Sequence, residues 1–418
     1  MKQQKVCVVG LGYIGLPTAL LIAKSGVTTI GFDVDTQKIS KLTKGELYFE
    51  EKGLQELFKA AQAKKSIEFT TTIKPADVFI IAVPTPHTML AEGLGASADL
   101  TYVLSALNLI KSVFVDGNLI IIESTVGPKD CEDILIPEVT SWGKKFLFSH
   151  CPERAIPGNT LSEMVGNDRI IGAVDAQSAT ATQTVYAKFV TGNLYQTTVT
   201  VAASCKVMEN TYRAVNIALA NEFAKLGEQL GFNVWEAIEL ANKHPRVSIH
   251  QPGPGVGGHC IPIDPWFFVR KNTAPLIKLA LEINEDMSDH VCQTVQAALT
   301  KQNVPKPVIA ILGYAYKKNV DDTRETPAAA LITKLSKFAK IIITDPYVSD
   351  ARFSTLEEAL TTADALVLVT DHDEYTSLHF KNYPNLKVIY DSRNCFTKEA
   401  LEGATALVYK LGTPVLYD

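Results

Sequence analysis

The first 33 residues constrain the fold more than any other part of the chain. An apolar segment typical of a strand, Lys5–Val9, runs into the glycine-rich segment Gly10–Gly15. A helical pattern at Leu16–Ser25, a second strand pattern at Thr28–Phe32 and the acidic Asp33 follow. In this order the G-x-G-x-x-G segment predicts dinucleotide binding, with the pyrophosphate at the helix amino terminus. The plainer alternative is that the glycines serve only a sharp turn between strand and helix.

Each residue of this segment has a separate expected role. Gly10 permits the tight turn, Gly12 lets the backbone approach a pyrophosphate, and Gly15 allows the helix to pack closely on the strand. Asp33 is placed to accept hydrogen bonds from both ribose hydroxyls and would repel a 2′-phosphate, so NAD is favoured over NADP. Asp35, two residues on, is better explained as a helix N-cap.

Strand and helix patterns alternate through most of the chain and predict an α/β fold. Apolar strands separated by helices are typical of a parallel sheet covered on both faces. A proline-free stretch from about Val199 to Leu230 reads as one long helix, and a further helix is expected at Pro275–Lys301. We expect a Rossmann domain for NAD at residues 1–197, a central helical domain for dimerisation at 198–300, and a second, Rossmann-like α/β domain at 301–418. The later strands are expected at Val78–Val83, Leu119–Glu123, Phe146–Ser149, Arg169–Ala173, Pro307–Leu312, Ile341–Thr344, Ala365–Thr370 and Lys387–Tyr390.

Composition excludes several classes of protein. A net charge of −5 and a pI near 6.0 argue against a nucleic-acid partner, which would need a basic face. No run reaches the ~18–20 apolar residues that span a bilayer, so we expect no membrane partner. The seven cysteines form no C-x-x-C pair, which argues against a zinc site or a disulfide framework. We therefore expect a cytoplasmic protein with reduced thiols and no metal.

Two further segments follow predicted strands at the edge where open α/β sheets bind ligands. Val83-Pro84-Thr85-Pro86 ends one strand, although its prolines could simply stop that strand, and Thr125 follows another. The candidate cofactor contacts are Gly10, Gly12, Tyr13, Ile14, Gly15, Asp33, Val83, Pro84, Thr85 and Thr125.

The segment Gly257–Pro265 carries the best candidate for covalent chemistry. Cys260 follows a glycine-rich loop and precedes a helix expected at Pro265–Lys271, and a thiol near a helix amino terminus can act as a nucleophile. A small buried residue is the alternative for a lone cysteine. Asp264 before Pro265 looks like an N-cap. His259 is a weak candidate for the base, because adjacent side chains seldom point the same way.

Polar residues on the long helix and after one strand complete the candidate site. Lys206, Asn210 and Arg213 lie at i, i+4 and i+7 on one helix face. The alternative is a row of polar side chains exposed to solvent, but the many alanines around these positions indicate a packed helix. Glu153 and Arg154 follow the strand at Phe146–Ser149, at the ligand edge of the sheet.

Taken together, these segments resemble the UDP-glucose/GDP-mannose dehydrogenase family from end to end. The P-E-R and G-G-H-C variants, and the run from His244 to Val256, resemble the branch that acts on UDP-N-acetylhexosamines. The shared motifs are G-L-G-Y-I-G-L-P at 10–17, V-P-T-P at 83–86, E-S-T-V at 123–126, C-P-E-R at 151–154, C-K-V-M-E-N at 205–210, G-G-H-C-I-P-I-D-P at 257–265, G-Y-A-Y-K at 313–317 and D-D-T-R-E-T-P at 321–327.

The resemblance implies a four-electron oxidation of the sugar C6 alcohol to a carboxylate with two NAD, for surface polysaccharide biosynthesis. Cys260 would be the nucleophile, Glu153 the base for thioester hydrolysis, and Thr125 would lie near the reacting carbon. Lys206, Asn210 and Asp264 would position water or stabilise oxyanions. The expected substrate contacts are Glu153, Arg154, Lys206, Asn210, Arg213, Arg246, His250, Gly257, Lys317, Arg324 and Arg393.

Two departures and two alternatives accompany the resemblance. The second glutamate of the glucose-type enzymes is replaced by Pro157, and Gly127-Pro128 reverses the usual order after E-S-T-V. The mannosamine epimer is the first choice of substrate and the glucosamine epimer the second. A non-catalytic nucleotide-sugar-binding protein is the alternative from another class. The long, alanine-rich helix between two domains that each look complete predicts a homodimer or higher homo-oligomer, and the resemblance implies that Arg246 reaches the substrate of a neighbouring subunit.

Overall fold

The computed structural model describes residues 4–90, 95–156, 158–269 and 273–414. The chain divides into two compact units, Met1–Met208 and Glu209–Asp418, and each is described by itself. None of the helices in the described part of the chain combines the length and the apolar character that crossing a bilayer needs.

The first unit is built on an eight-stranded sheet with the order β10-β9-β8-β7-β4-β1-β2-β3. Chain order reverses between β1 and β4, and such a switch point is where open α/β sheets bind ligands. The strands are β1 (Lys5–Val9), β2 (Thr28–Phe32), β3 (Ile67–Thr70), β4 (Val78–Ile81), β7 (Asn118–Ile122), β8 (Phe146–His150), β9 (Arg169–Ala173) and β10 (Leu194–Thr198), with a separate hairpin of β5 (His87–Met89) and β6 (Ala96–Ala98).

Helices connect the strands of this unit. They are α1 (Gly15–Lys24), α2 (Thr36–Lys44), α3 (Leu54–Ala63), α4 (Thr101–Lys111), α5 (Ile136–Thr140) with a π-helical segment (Cys131–Leu135) before it, α6 (Thr160–Gly166) and α7 (Ala176–Tyr186). The long helix α8 (Val199–Leu230) has the predicted bounds and contains the boundary between the two units.

One pairing departs from the expected parallel sheet. β8 and β9 run antiparallel, with Ser149 opposite Ala173, while the other pairs in this sheet are parallel. The prediction of a wholly parallel sheet was therefore wrong at β9. An apolar strand buried on both faces shows the same residue pattern in either direction, so the direction could not be read from composition.

Alternate residues of the central strands enter two different cores. Val6 and Val8 pack on one face of the sheet, and Cys7 and Val9 pack on the other. This alternation follows from the two-residue period of a strand. Helices cover both faces, which explains why these strands are apolar throughout.

The second unit contains a five-stranded parallel sheet with the order β12-β11-β13-β14-β15. Its strands are β11 (Val308–Leu312), β12 (Lys340–Thr344), β13 (Ala365–Leu368), β14 (Val388–Asp391) and β15 (Leu407–Lys410). Its helices are α9 (Val234–Ala241), α10 (Pro275–Lys301), α11 (Pro327–Leu335), α12 (Leu356–Thr362) and α13 (Lys398–Leu401), with 3-10 helices at Asp264–Phe268, Asp373–Ser377 and Phe380–Asn382. The mixed α/β class predicted from sequence is confirmed.

Candidate functional site

The turn after β1 has the geometry of a phosphate-binding turn. Gly10 has a φ of +90°, and a Cβ there would lie 2.8 Å from the carbonyl oxygen of Ala82. A Cβ on Gly15 would lie 1.8 Å from the oxygen of Gly10, so this position must be glycine for α1 to approach the strand. A Cβ on Gly12 would meet nothing within 4 Å. The fold requires the outer glycines, whereas the middle one leaves open space.

The amino terminus of α1 lies beside that space, and the Leu16 N–H there donates to the Gly12 oxygen at 3.1 Å. The N-cap residue, Ile14, makes no side-chain hydrogen bond to the first turn. The first backbone N–H groups of a helix have no intrahelical acceptor and attract anions. Tyr13 is half exposed, with its ring centroid 4.4 Å from that of Phe49. These features fit the pyrophosphate of a dinucleotide.

Asp33 lies at the end of β2, as predicted, and is largely buried. Its Oδ2 accepts from the Leu11 N–H at 2.8 Å, and its Oδ1 accepts from the Asp35 N–H at 2.9 Å. Each of these oxygens keeps acceptor capacity, so the carboxylate can still receive ribose hydroxyls. Asp35 accepts from the N–H groups of Gln37 and Lys38, which confirms that it is the N-cap of α2.

The segments after β4 and β7 meet at the same edge of the sheet. β4 lies between β1 and β7, and the Ser124 hydroxyl donates to the Val83 carbonyl oxygen at 2.7 Å. Thr85 and Thr125 are half-buried, and Pro84 is exposed. The switch point therefore carries these candidate contacts together with the glycine-rich turn.

A buried ion cluster lies behind this edge. Arg169, the first residue of β9, donates to Glu123 at 3.1 Å and to Glu153, and all three side chains are at most 9% exposed. The Tyr186 hydroxyl donates to Glu123 at 2.7 Å, and its ring lies under the Arg169 guanidinium at 4.2 Å. Sequence reasoning found Glu153 but missed Arg169 and Glu123. The available signal was an arginine opening an otherwise apolar strand, which demands a buried partner.

The P-E-R loop folds back on itself. Glu153 Oε1 accepts from the backbone N–H groups of Arg154 at 2.6 Å and Ala155 at 2.9 Å. The Arg154 guanidinium donates to the backbone oxygen of Asp168, inside the same unit. Pro157, the departure noted in the sequence, lies outside the described residues.

In the second unit, the loop before Cys260 is packed against the loop at residues 321–327. The Gly258 N–H donates to the Arg324 backbone oxygen at 3.0 Å. A Cβ on Gly257 would lie 2.6 Å from the Cβ of Tyr316 and 2.8 Å from the oxygen of Glu325. These glycines are thus required by close backbone packing, and they leave Cys260 half-buried.

Asp264 contacts α8 and does not act as the expected N-cap. Its carboxylate accepts from the Asn210 side-chain amide at 2.7 Å, and its backbone N–H donates to the Cys260 oxygen at 2.8 Å. A 3-10 helix, Asp264–Phe268, replaces the α-helix expected to start at Pro265, and no side chain caps it. Both the cap and the regular helix were wrong, because Asp264 lies inside the 3-10 helix, whose N-cap is Ile263, and its carboxylate binds the Asn210 amide of α8.

The three polar residues predicted on one face of α8 differ in exposure. Lys206 and Asn210 are at most 9% exposed, whereas Arg213 is exposed. The ring of His250 is half-buried, and burial followed by the charge of Arg213 lowers its pKa. Arg246 is exposed on the loop after α9. Arg213 therefore lies near His250 in the second unit. Among the described residues, Arg246 makes no hydrogen bond or ion pair with either of them.

Two of the remaining candidates are held by neighbouring groups. The Arg324 guanidinium donates two hydrogen bonds to the Asp322 carboxylate, from Nε at 2.9 Å and from a terminal nitrogen at 2.6 Å. Arg393 donates from Nε to the Val369 oxygen at 3.0 Å and packs against Gly253, where a Cβ would lie 2.4 Å from the guanidinium. Lys317 is exposed.

A buried amide network holds the loop that leads to Cys260, and sequence reasoning missed it. Asn221 on α8 accepts from the Gly253 N–H at 2.9 Å and donates to the Asn284 side-chain oxygen at 2.9 Å. Asn284 on α10 donates in turn to the Ala214 oxygen at 3.0 Å. Asparagines on the packed faces of two long helices were the available signal, because a buried amide requires partners.

The second unit also has an acid after its second strand, but that acid is fully engaged. Asp345 accepts from the backbone N–H groups of Tyr314, Ala315, Tyr347 and Val348 and from the buried imidazole of His372. In contrast to Asp33, it has no free capacity for a ribose. Among the residues that the structure describes, the features of a dinucleotide site therefore lie in the first unit.

Comparison with known protein families likewise assigns dinucleotide binding to the first part of the chain. Family models match an NAD-binding domain at residues 4–190, a central domain at 200–286 and a UDP-binding domain at 310–398. The chain belongs to the UDP-glucose/GDP-mannose dehydrogenase family. As a member of this family it is an NAD-dependent oxidoreductase.

Individual relatives match over nearly the whole chain. UDP-N-acetyl-D-mannosamine dehydrogenase of Methanococcus maripaludis is 43% identical, covering 98% of this chain and 97% of the relative. The solved UDP-D-ManNAc dehydrogenase of Pyrococcus horikoshii superposes with a TM-score of 0.91 at 37% identity, covering 99% and 100%. The UDP-N-acetyl-mannosamine dehydrogenase of Staphylococcus aureus gives 0.86 at 39% identity, covering 98% of each chain.

Proposed function

We propose that the protein oxidises the C6 alcohol of UDP-N-acetyl-D-mannosamine to the carboxylate. The observation that carries the chemistry is the buried hydrogen bond between the Asn210 amide and the Asp264 carboxylate. The backbone N–H of the same aspartate donates to the backbone oxygen of Cys260, which links this pair to the cysteine. The relatives from Methanococcus maripaludis and Pyrococcus horikoshii, which match over nearly the full length, bear the name of this activity, and this supports the choice of substrate.

The proposed reaction consists of two oxidations at C6 followed by one hydrolysis. The alcohol loses a proton to water and a hydride from C6, which gives the aldehyde. The Cys260 thiolate then bonds to that carbon, and the oxygen takes a proton to form a thiohemiacetal. Loss of a second hydride and that proton gives a thioester. When bound, NAD supplies the hydride acceptor for both oxidations.

The sulfur bond explains how one site carries out both oxidations. A free aldehyde is able to diffuse away while the first NADH is exchanged for NAD, whereas a covalent adduct stays in place. The half-buried position of Cys260, after glycines that admit close backbone approach, supports this role.

Buried polar groups on α8 would stabilise the charge that develops on the sugar oxygen. Lys206 supplies a cation and Asn210 a donor, and both are held at low exposure. Loss of one preorganised donor in comparable sites costs about 3–4 kcal/mol of transition-state stabilisation. Asp264 fixes the orientation of the Asn210 amide.

Hydrolysis of the thioester would require Glu153, with Thr125 close to the reacting carbon. Water oxygen bonds to the acyl carbon, the carbon–sulfur bond breaks, one water proton passes to Glu153, and the thiolate of Cys260 is restored. The product acid releases its remaining proton to solvent. Arg154, Arg213, Arg246, His250, Gly257, Lys317, Arg324 and Arg393 are proposed to contact the substrate.

A panel of nucleotide sugars tests the substrate. Purified protein is incubated with NAD and UDP-ManNAc, UDP-GlcNAc, UDP-GalNAc or UDP-glucose, and initial rates of NADH formation are compared. We expect UDP-ManNAc to give the highest kcat/KM. A preference for UDP-GlcNAc would instead assign the glucosamine epimer, and no NADH with any sugar would favour a nucleotide-sugar-binding protein without catalysis.

We also propose that the protein works as a homodimer in the cytoplasm and that its product serves polysaccharide synthesis. Large apolar side chains are exposed along α8 at Val201, Met208, Tyr212, Leu219, Leu226 and Leu230. Their spacing of four and seven residues follows one side of a helix and suits a second copy of the same helix. The seven cysteines, which all lie within the described residues, form no disulfide bonds, and this suits a reducing compartment.

A further inference from the structure

The cluster around Arg169 joins five elements of the first unit. Glu123 follows β7, Glu153 follows β8, Arg169 begins β9, Tyr186 ends α7, and Thr18 lies in α1. Thr18 donates to Glu123 Oε2 at 3.1 Å, on the opposite oxygen from Tyr186 and Arg169. The cluster therefore ties the residues before Thr125 to the loop that carries Glu153.

Two carboxylates share one buried guanidinium in this cluster. Arg169 reaches Glu123 with one terminal nitrogen and Glu153 with the other. Burial raises the pKa of Glu123 and the nearby Glu153 carboxylate adds to this rise, whereas Arg169, Tyr186 and Thr18 act in the other direction by stabilising the ionised form. The other titratable groups that face Arg169 are the Tyr186 phenol and the Cys151 thiol. Burial raises the pKa of both, so they are neutral at pH 7.

This sharing matters for any proton transfer at Glu153. If Arg169 were paired with Glu153 alone, protonation of Glu153 would leave a buried cation without a counter-charge, which is strongly unfavourable. Glu123 on the other arm provides that counter-charge throughout. Meanwhile the two backbone N–H groups and Arg169 fix the orientation of the Glu153 carboxylate.

We propose that Arg169 is the positioning residue for Glu153, and that Glu123 is the permanent counter-ion that allows Glu153 to take up and release a proton. The inference rests on the proposed function, in which Glu153 accepts a proton from the water that cleaves the Cys260 thioester. Neither Arg169 nor Glu123 touches the reacting carbon in this scheme. They act on hydrolysis only through Glu153.

The first test is Arg169→Lys followed in the pre-steady state. A lysine keeps the charge but cannot bridge both carboxylates with a planar fork. On mixing with NAD and UDP-ManNAc we expect the initial burst of NADH to persist, the steady-state rate to fall about tenfold or more, and a sugar acyl adduct on Cys260 to accumulate, detected by intact-mass spectrometry. An equal fall in burst and steady-state rate, with no adduct, would overturn the proposal.

The second test is the pH profile of Glu123→Gln. Without Glu123, the Arg169 guanidinium pairs with Glu153 alone, so the acidic limb of the hydrolysis rate should move to lower pH. The plateau rate should fall because Glu153 becomes a weaker base. An unmoved midpoint would contradict the counter-ion role, since a purely structural role of Glu123 changes stability without shifting the profile.

Tyr186→Phe is the matched control. It removes the hydroxyl donor to Glu123 but keeps the ring under Arg169 and leaves the contacts of Glu153 intact. We expect a lower melting temperature with a normal burst and an unchanged pH midpoint, and a shifted midpoint in this variant would count against the proposal. Failure of the wild-type protein to form NADH or an adduct would refute the proposed function itself. NAD affinity of each variant reports whether the first unit is folded.

Discussion

Replacing Gly12 with alanine separates the needs of the ligand from those of the fold. A Cβ at this position meets no atom within 4 Å, and the residue has no left-handed φ. Alanine should therefore fit without strain and stabilise the first unit by about 0.4–1 kcal/mol through the unfolded chain. The same Cβ occupies the space proposed for the pyrophosphate, so we expect the Kd for NAD to rise about tenfold or more, which is ~1.4 kcal/mol.

Gly15→Ala is the matched control, because its Cβ would lie 1.8 Å from the oxygen of Gly10. This overlap should destabilise the protein by about 3 kcal/mol or more. Urea denaturation gives the free energy of unfolding of each variant, and isothermal titration calorimetry gives its NAD affinity. If Gly12→Ala bound NAD as tightly as the wild type, the space beside Gly12 would not be the phosphate site and the assignment would be refuted.

Two further predictions concern stability and assembly. Burial lowers the pKa of His150 to about 4. The unfolded chain takes up a proton near pH 6.5 and the folded protein only near pH 4, so as pH falls through this window wild type should lose roughly 3 kcal/mol that a His150→Asn variant does not lose. Urea denaturation at several pH values checks this, and parallel curves would contradict it. Met208→Glu places a charge on the exposed stripe of α8 and should convert the proposed dimer to a monomer; a monomeric wild type in light scattering would disprove the dimer.

Sequence patterns predicted the elements whose local signals are strong. The bounds of β1, β2, β9, α8 and α10 agree with the expected ones because apolar runs, prolines and glycines mark them. Short or exposed strands such as β3, β10 and β15 were missed, since half-exposed edge strands lack a continuous apolar run.

Contacts between residues that are far apart in the sequence limited how much of the candidate site could be predicted. Cys260 and Asn210 were both singled out, but the partner of Asp264 could not be read from its neighbours, which suggested a helix cap instead. Likewise, nothing local to Arg169 indicates that it joins residues 46 and 16 positions away. Buried charges are paired by the tertiary fold, so the sequence shows that a partner is required without showing which one.

The number of NADH formed for each UDP-ManNAc consumed tests the central claim, which is a double oxidation on the sulfur of Cys260. We expect two NADH and one uronic acid per sugar with the wild type, and no uronic acid with Cys260→Ala. A ratio of one with free aldehyde as the product, or uronic acid formed at the wild-type rate by Cys260→Ala, would contradict the account.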